Sequence, residues 1–345
     1  MAILASHSFL LEEVYVKALL KKIILSALLL NPAFVWAGLE VKGAGGTAYK
    51  PLAQSWIADY SKSKIKYDSK NTAEGINEFL SKDCDFVLID SALTAAEDKK
   101  VKSHNLLYCP VALSAEAVVY NLPGISSGAL RLTPKLLSDI FLGKIKKWND
   151  PSLRAVNPKL LLPDLDILVV HQSDESSLND FFPAFLAKQN SQWTLKREKD
   201  KNLHWPVGQN VNGNRKVLDK LRQWAGVIVV LNYSFAQEKQ LPVAQIQNES
   251  GQYVEPALKS IESAVLGNNN VKAAKAYPLM AEVMISVFQD YDKTFHQHNR
   301  GQALVDFLNW VLSSEGQEVS AKAFFVPLPE SVLNQSLEKI KTIQY

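Results

Sequence analysis

Short, almost wholly apolar runs recur along this chain, and helix signals stand between them. Phe86-Val87-Leu88-Ile89, Leu168-Val169-Val170 and Val227-Ile228-Val229-Val230-Leu231 are such runs. A strand that is apolar on both sides must be covered on both faces, and interleaved helices supply the cover. Pro51 opens a run carrying Leu52, Trp56, Ile57 and Tyr60 at helical spacing, and Thr133-Pro134 precedes Leu136, Leu137 and Ile140. Thr94-Ala95-Ala96-Glu97 is a capping-box pattern. Further strands are expected over 65–67, 106–113, 116–120 and 282–288. Further helices are expected from Thr72, around Phe182, over 217–224 and 303–312, and from Ser331, with Pro183 bending its helix or delaying its start. The alternation predicts an α/β protein with a largely parallel sheet. No internal repeat is visible.

In such sheets ligands bind beyond the carboxyl ends of the strands. Gly43-Ala44-Gly45-Gly46-Thr47-Ala48-Tyr49 leads straight into the Pro51 helix. Its glycines permit φ > 0 and close approach of backbone to a ligand. A helix N-terminus behind such a turn offers N–H groups and the positive end of the dipole to an anion. The stretch matches neither GxGxxG nor GxxxxGK[ST], so a plain strand-to-helix turn is an equal reading. Thr72 and Asp90 fall at other expected strand ends, and His171-Gln172-Ser173-Asp174-Glu175-Ser176-Ser177 follows the Leu168 run. Thr72 and Ser176 also read as plain N-caps.

Residues 1–37 read as an export signal. Lys17, Lys21 and Lys22 precede an apolar run over 23–30, and Val35-Trp36-Ala37 has the small-residue cleavage pattern. The run falls short of the ~20 apolar residues that span a bilayer. Roughly 300 residues remain, enough for two domains. A net charge of +3 argues against nucleic acid as a partner. Cys84 and Cys109 lie in apolar strand-like stretches, as two buried thiols or as a disulfide. His296-x-His298 is the one close histidine pair and has no HExxH context, so it reads as surface. His171 reads as a partly exposed strand-end histidine. Lys144, Lys146 and Lys147 read as a solvated surface.

The chain resembles a known family, the phosphate-binding proteins of bacterial high-affinity phosphate ABC transporters. The resemblance runs from about Gly43 to Ile340. It is carried by the 43–49 stretch, Asp85-Phe86 with Asp90, Asn121-Leu122-Pro123-Gly124, and Ile140-Phe141-Leu142-Gly143-Lys144-Ile145-Lys146-Lys147-Trp148-Asn149-Asp150. Trp205-Pro206-Val207-Gly208 and Pro327-Leu328-Pro329-Glu330-Ser331-Val332 complete it. It implies a type II periplasmic binding protein: two α/β lobes joined by two crossing segments, with ligand clamped between them. The expected lobes are 38–117 with 281–345, and 118–280. It implies inorganic phosphate or a related anion as ligand, a membrane ABC permease as partner, no cofactor and a monomer. Thr47, the Ala48 N–H, Thr72, Asp90, Ser176 and the N–H groups of Ser177 and Leu178 would face the anion, with Gln172 and Asp174 on the same second loop. A carboxylate at Asp90 favours an anion that carries a proton, phosphate over sulfate.

That second loop departs from the family's Arg-x-Asp-Gly-Ser-Gly-Thr pattern and keeps only Asp174 and Ser176. Gln172 stands where the pattern has a guanidinium, Glu175 adds a carboxylate, and Leu178 lacks a hydroxyl. Hydrogen bonds to charged groups contribute about 1.5–3 kcal/mol each, so losing one or two weakens binding roughly 10- to 10⁴-fold. The alternative function is therefore a diverged receptor for another ligand, or an interaction protein on the same fold. An enzyme has less to stand on, with no GxSxG elbow and no motif around either cysteine. The signal makes a direct prediction. Intact mass of the exported protein is expected to place its N-terminus at or near Gly38; an N-terminus upstream of Lys22 refutes it.

Overall fold

The computed structural model describes residues 39–89, 105–172, 178–190, 193, 205–211, 213–265 and 274–345. The 1–37 segment and the Thr94 capping box lie outside these. β1 (Glu40–Gly46) passes through a 3-10 turn (Thr47–Tyr49) into α1 (Lys50–Asp59). β2 (Lys64–Lys70) leads to α2 (Thr72–Leu80), then β3 (Phe86–Ile89) and the long β4 (Leu106–Asn121). The middle of the chain holds β5 (Arg131–Leu132), α3 (Pro134–Phe141), α4 (Pro151–Val156), β6 (Leu168–Gln172) and α5 (Leu178–Gln189). After these come β7 (Gln209–Val211), α6 (Asn214–Gln223), β8 (Val227–Asn232), α7 (Tyr233–Glu238), β9 (Gln245–Gln247), β10 (Tyr253–Val254) and α8 (Leu258–Val265). β11 (Met280–Phe288), α9 (Tyr291–Phe295), α10 (His298–Val311), α11 (Ser314–Lys322) and α12 (Glu330–Ile340) complete it. α5 begins ahead of Pro183 and contains it, so the proline does not delay the helix.

The eight-stranded sheet runs β2-β1-β3-β11-β4-β8-β6-β7. β4 corrects the sequence reading, which expected two strands over 106–113 and 116–120. It is one strand whose first part pairs antiparallel with β11, up to Ala115↔Met280, and whose second part pairs antiparallel with β8, from Glu116↔Asn232. β1 is parallel to β2 and β3, and β6 is parallel to β7 and β8. Following these directions, β1, β2 and β3 end toward the middle of β4 from one side, and β8, β6 and β7 from the other. The order β2-β1-β3-β11 recurs as β7-β6-β8-β4, a repeat of topology that has no counterpart in the residues.

The apolar runs are what double coverage requires. On β3, Phe86 and Leu88 join the main core, while Val87 and Ile89 face the opposite side with Ile76 and Phe79 of α2. On the main face Trp56 of α1 is fully buried, and its indole N–H donates to Ser320 Oγ on α11 at 3.0 Å. Gly43 proves to be a packing residue inside β1: a Cβ there would stand 2.1 Å from the Phe86 ring. The 43–46 glycines are strand, not loop, and among them only Gly45 has positive φ.

One buried charge ties the chain's two ends together. Asp85 has no exposed surface and is hydrogen-bonded on both oxygens. Oδ1 accepts from Tyr291 Oη at 2.6 Å, and Oδ2 accepts from the Lys42 N–H at 2.6 Å and from Arg300 Nε and Nη2 at 3.1 and 2.7 Å. Removing one partner of a buried pair costs about 3–5 kcal/mol, because the other charge stays buried and unpaired. Arg300→Leu is therefore expected to lower the unfolding free energy by about that much in urea titration with the slope unchanged. A loss below ~1 kcal/mol, the value of a surface pair, would refute the role.

Candidate functional site

The first half of the site is built from backbone. β1 ends at Gly46, which is the N-cap of the helical run that begins at Thr47 and brings no side chain to cap it. Thr47 is exposed and Ala48 half-buried. α2 reaches the same point from β2. Its first turn lies directly on β1, where a Cβ on Gly75 would stand 2.7 Å from Gly45 Cα. The α2 cap is Asn71, whose side chain accepts the Glu74 N–H at 2.8 Å. Thr72 is thus not the cap, as one reading had it, but the first helical residue. Its Oγ1 lies 3.1 Å from where a Cβ on Gly46 would stand. Two helix N-termini and two threonines therefore meet around Gly46, where their dipole ends add.

The second group of expected residues follows β6 in the chain. Gln172 is the last residue of that strand and Leu178 the first of α5. Asp90, Asp174, Ser176 and Ser177 lie outside the described residues. His171, expected to be partly exposed, is instead 3% exposed. It stacks on Trp205 with ring centroids 4.0 Å apart, and Phe141 packs on both rings. Its Nε2 lies 2.5 Å from the Val207 carbonyl, which can only accept, so Nε2 carries the proton. Burial pushes this imidazole down to about 4, against the opposing bond to Val207. The Trp205-Pro206-Val207-Gly208 motif thus braces the strand that leads to the loop.

Other candidates are placed plainly. Cys84 and Cys109 are free, buried thiols, and burial raises both, Cys109 to about 11. Lys144, Lys146 and Lys147 are exposed while Trp148 is fully buried, its N–H on the Gly226 carbonyl. His296 and His298 are exposed, and among the described residues no group of His, Cys, Asp and Glu is placed to hold a metal. No helix among them is long and apolar enough to cross a membrane. A cavity of about 510 Å³, lined by Ile140, Ile167, Leu168, Val207 and Trp224, opens at the amino end of β6, away from the strand ends. Sequence reasoning gave Asp85, Arg300 and Tyr67 no task. An acid inside an otherwise apolar run was the available signal for Asp85.

Strands ending from two sides on one seam, with helix N-termini at the Gly46 turn, are the architecture of a ligand-binding α/β protein. The family model described as a PBP superfamily domain matches residues 35–315. The chain belongs to the phosphate-binding PstS proteins of that superfamily, as its relatives establish. It is 31% identical over 320 residues to the phosphate-binding protein PstS of Haemophilus influenzae, covering 88% of this chain and 93% of that one. To the PstS of Xylella fastidiosa it is 32% identical over 312 residues, covering 86% and 84%. Among solved structures, a high-affinity periplasmic phosphate-binding protein bound with phosphate superposes with a TM-score of 0.66 at 19% identity, covering 86% and 92%. An ABC-type phosphate transport receptor from Vibrio cholerae gives 0.56 at 15% identity, covering 84% and 100%. These two likenesses establish the type II periplasmic binding fold.

His171 sets a pH dependence whose sign follows from its burial. The unfolded chain takes a proton near pH 6.5, while the native one resists until about 4. The stability it contributes is present above pH 6.5 and is lost as pH falls toward 4, by about 3 kcal/mol. His171→Gln is expected to flatten that part of the stability profile, measured by urea titration at pH 7 and pH 4.5. An unchanged difference between the two pH values would refute it.

Proposed function

We propose that the protein is a periplasmic substrate-binding protein that takes up inorganic phosphate and delivers it to a membrane ABC permease. The observation that carries this is the meeting of two helix N-termini with Thr47 and Thr72 at Gly46, a set of uncharged donors suited to a small oxyanion. The names of its relatives support the ligand, and a lysine-flanked apolar N-terminal stretch supports export. On this reading the lobes are 38–117 with 281–345, and 118–280, and β4 and β11 are the crossing segments. Ligand makes its extra contacts in the closed form and so favours closure. Asp90 accepts the proton of phosphate, which sulfate lacks at neutral pH. Ser176 and the N–H groups of Ser177 and Leu178 complete the cage from the second side. The protein acts as a monomer, binds no nucleic acid and needs no cofactor.

The second reading, a diverged receptor for another ligand, rests on the loop after β6. Gln172 offers at best a neutral bond where a guanidinium would give a charge-assisted pair, and Glu175 sets a like charge near the anion. Calorimetric titration with inorganic phosphate separates the two. Phosphate is expected to bind and sulfate not to, and Asp90→Asn is expected to lower that selectivity more than overall anion binding. Glu175→Gly and Gln172→Arg are each expected to tighten phosphate. Silence at millimolar phosphate in the parent and in both restoring variants would overturn the phosphate reading in favour of the second.

A further inference from the structure

We infer that Tyr67 is a positioning residue for anion binding: its hydroxyl fixes the peptide group between Gly46 and Thr47 and so aims the Thr47 N–H. Tyr67 lies on β2, paired with Gly43 of β1, and its Oη donates to the Gly46 carbonyl at 3.1 Å. The Gly46 oxygen and the Thr47 N–H belong to one planar trans peptide and point in opposite directions. Holding the oxygen toward β2 therefore turns the N–H away from β2. That N–H belongs to the first residue of the helical run whose cap is a glycine without a side chain. The cap brings no side chain to hold this peptide, and the Tyr67 hydroxyl adds a second bond to a carbonyl that otherwise accepts only the first bond of the helical run. A donor on the carbonyl also polarises the whole group, which makes the N–H on its far side a stronger donor.

Gly45 has the same purpose. It adopts φ +145, and a Cβ there would stand 2.4 Å from the Leu88 carbonyl oxygen and 2.8 Å from Tyr67 Oη. Any side chain at this position would push the hydroxyl off the Gly46 carbonyl. Glycine at 45 and tyrosine at 67 are thus two halves of one device. Burial raises the phenol above its ordinary value, so the donor keeps its proton throughout the working pH range.

The inference rests on the phosphate reading for its functional readout, and the experiment keeps the two apart. Inorganic phosphate is titrated calorimetrically into the parent, Tyr67→Phe and a control, Tyr60→Phe, which strips a buried phenol from the same core without touching the turn. The amide proton of Thr47 is followed by NMR in all three without phosphate. Tyr67→Phe is expected to weaken phosphate binding roughly 5- to 10-fold and to move the Thr47 amide upfield. Tyr60→Phe is expected to alter stability alone. An unmoved Thr47 amide in Tyr67→Phe overturns the inference, as does phosphate affinity within twofold of a parent that binds. If the parent binds no phosphate, the phosphate reading falls, and the Thr47 amide alone decides the role of Tyr67.

Discussion

A carboxylate with no exposed surface stands at the entrance of β3, and the first half of the sheet depends on it. Burying a lone charge costs several kcal/mol even after relaxation, so Asp85 is tolerable only because three elements converge on it. β1 gives a backbone N–H, α9 a phenol and α10 a guanidinium. The reverse bond, from the Asp85 N–H to the Lys42 carbonyl at 2.7 Å, fixes the register of β1 against this segment. These groups come from opposite ends of the chain, more than two hundred residues apart. Apolar packing alone leaves sliding freedom between β1 and the C-terminal helices. A paired ion with four directed donors does not, and the Gly46 turn inherits its position from that register.

The second constraint is the undivided β4. A strand that pairs β11 over its first part and β8 over its second joins two half-sheets without a loop between them. At the changeover the Glu116 N–H donates to the Leu279 carbonyl, and the fully buried Tyr277 hydroxyl donates to the Glu116 carbonyl, both at 2.8 Å. The chain passes this level twice, once in each direction, and the two passages hydrogen-bond to each other. A paired ribbon resists shear between the halves and yields more easily to bending. On the proposed function, that is the mechanical property a clamp closing on a small anion requires.

Much of this was legible in the residues. The doubly apolar runs announced a sheet covered on both faces, and Thr133 with Pro134 announced α3, where the Thr133 side chain accepts the Leu136 N–H as the cap. Thr47 and Thr72 fell at strand ends, where the structure brings them together. What stayed hidden depended on tertiary partners. β4 read as two strands because Ser114 and Glu116 interrupt its apolar run; both are buried, Glu116 facing Asn232 across the ladder. His171 read as exposed because its cover, Trp205, is remote in sequence. Gly43 read as loop because nothing local says that a phenylalanine ring needs its space. The repeated strand order is invisible because topology constrains hydropathy, not identity.

Among the described residues Lys70, the ladder partner of Gly46, is already paired with Asp68 and Glu78, and the first half of the site is built from hydroxyls and backbone dipoles set by strand and helix ends. Such donors are weak singly and depend on direction: a hydrogen bond fades steeply as its angle falls toward ~120°, whereas an ionic attraction barely notices. A site with an arginine on its second loop can tolerate imprecision in its first, because the charge recovers what poor alignment loses. On the proposed function, with Gln172 at that place, alignment carries more of the affinity. The contacts that hold the turn therefore gain weight in this chain: Gly75 against Gly45, Gly45 against Leu88, and Tyr67 on the Gly46 carbonyl. Each is a close approach that a single added methyl group would break. On the proposed function, the affinity of this first half rests on how rigidly an uncharged peptide is pointed, while selectivity against sulfate belongs to Asp90.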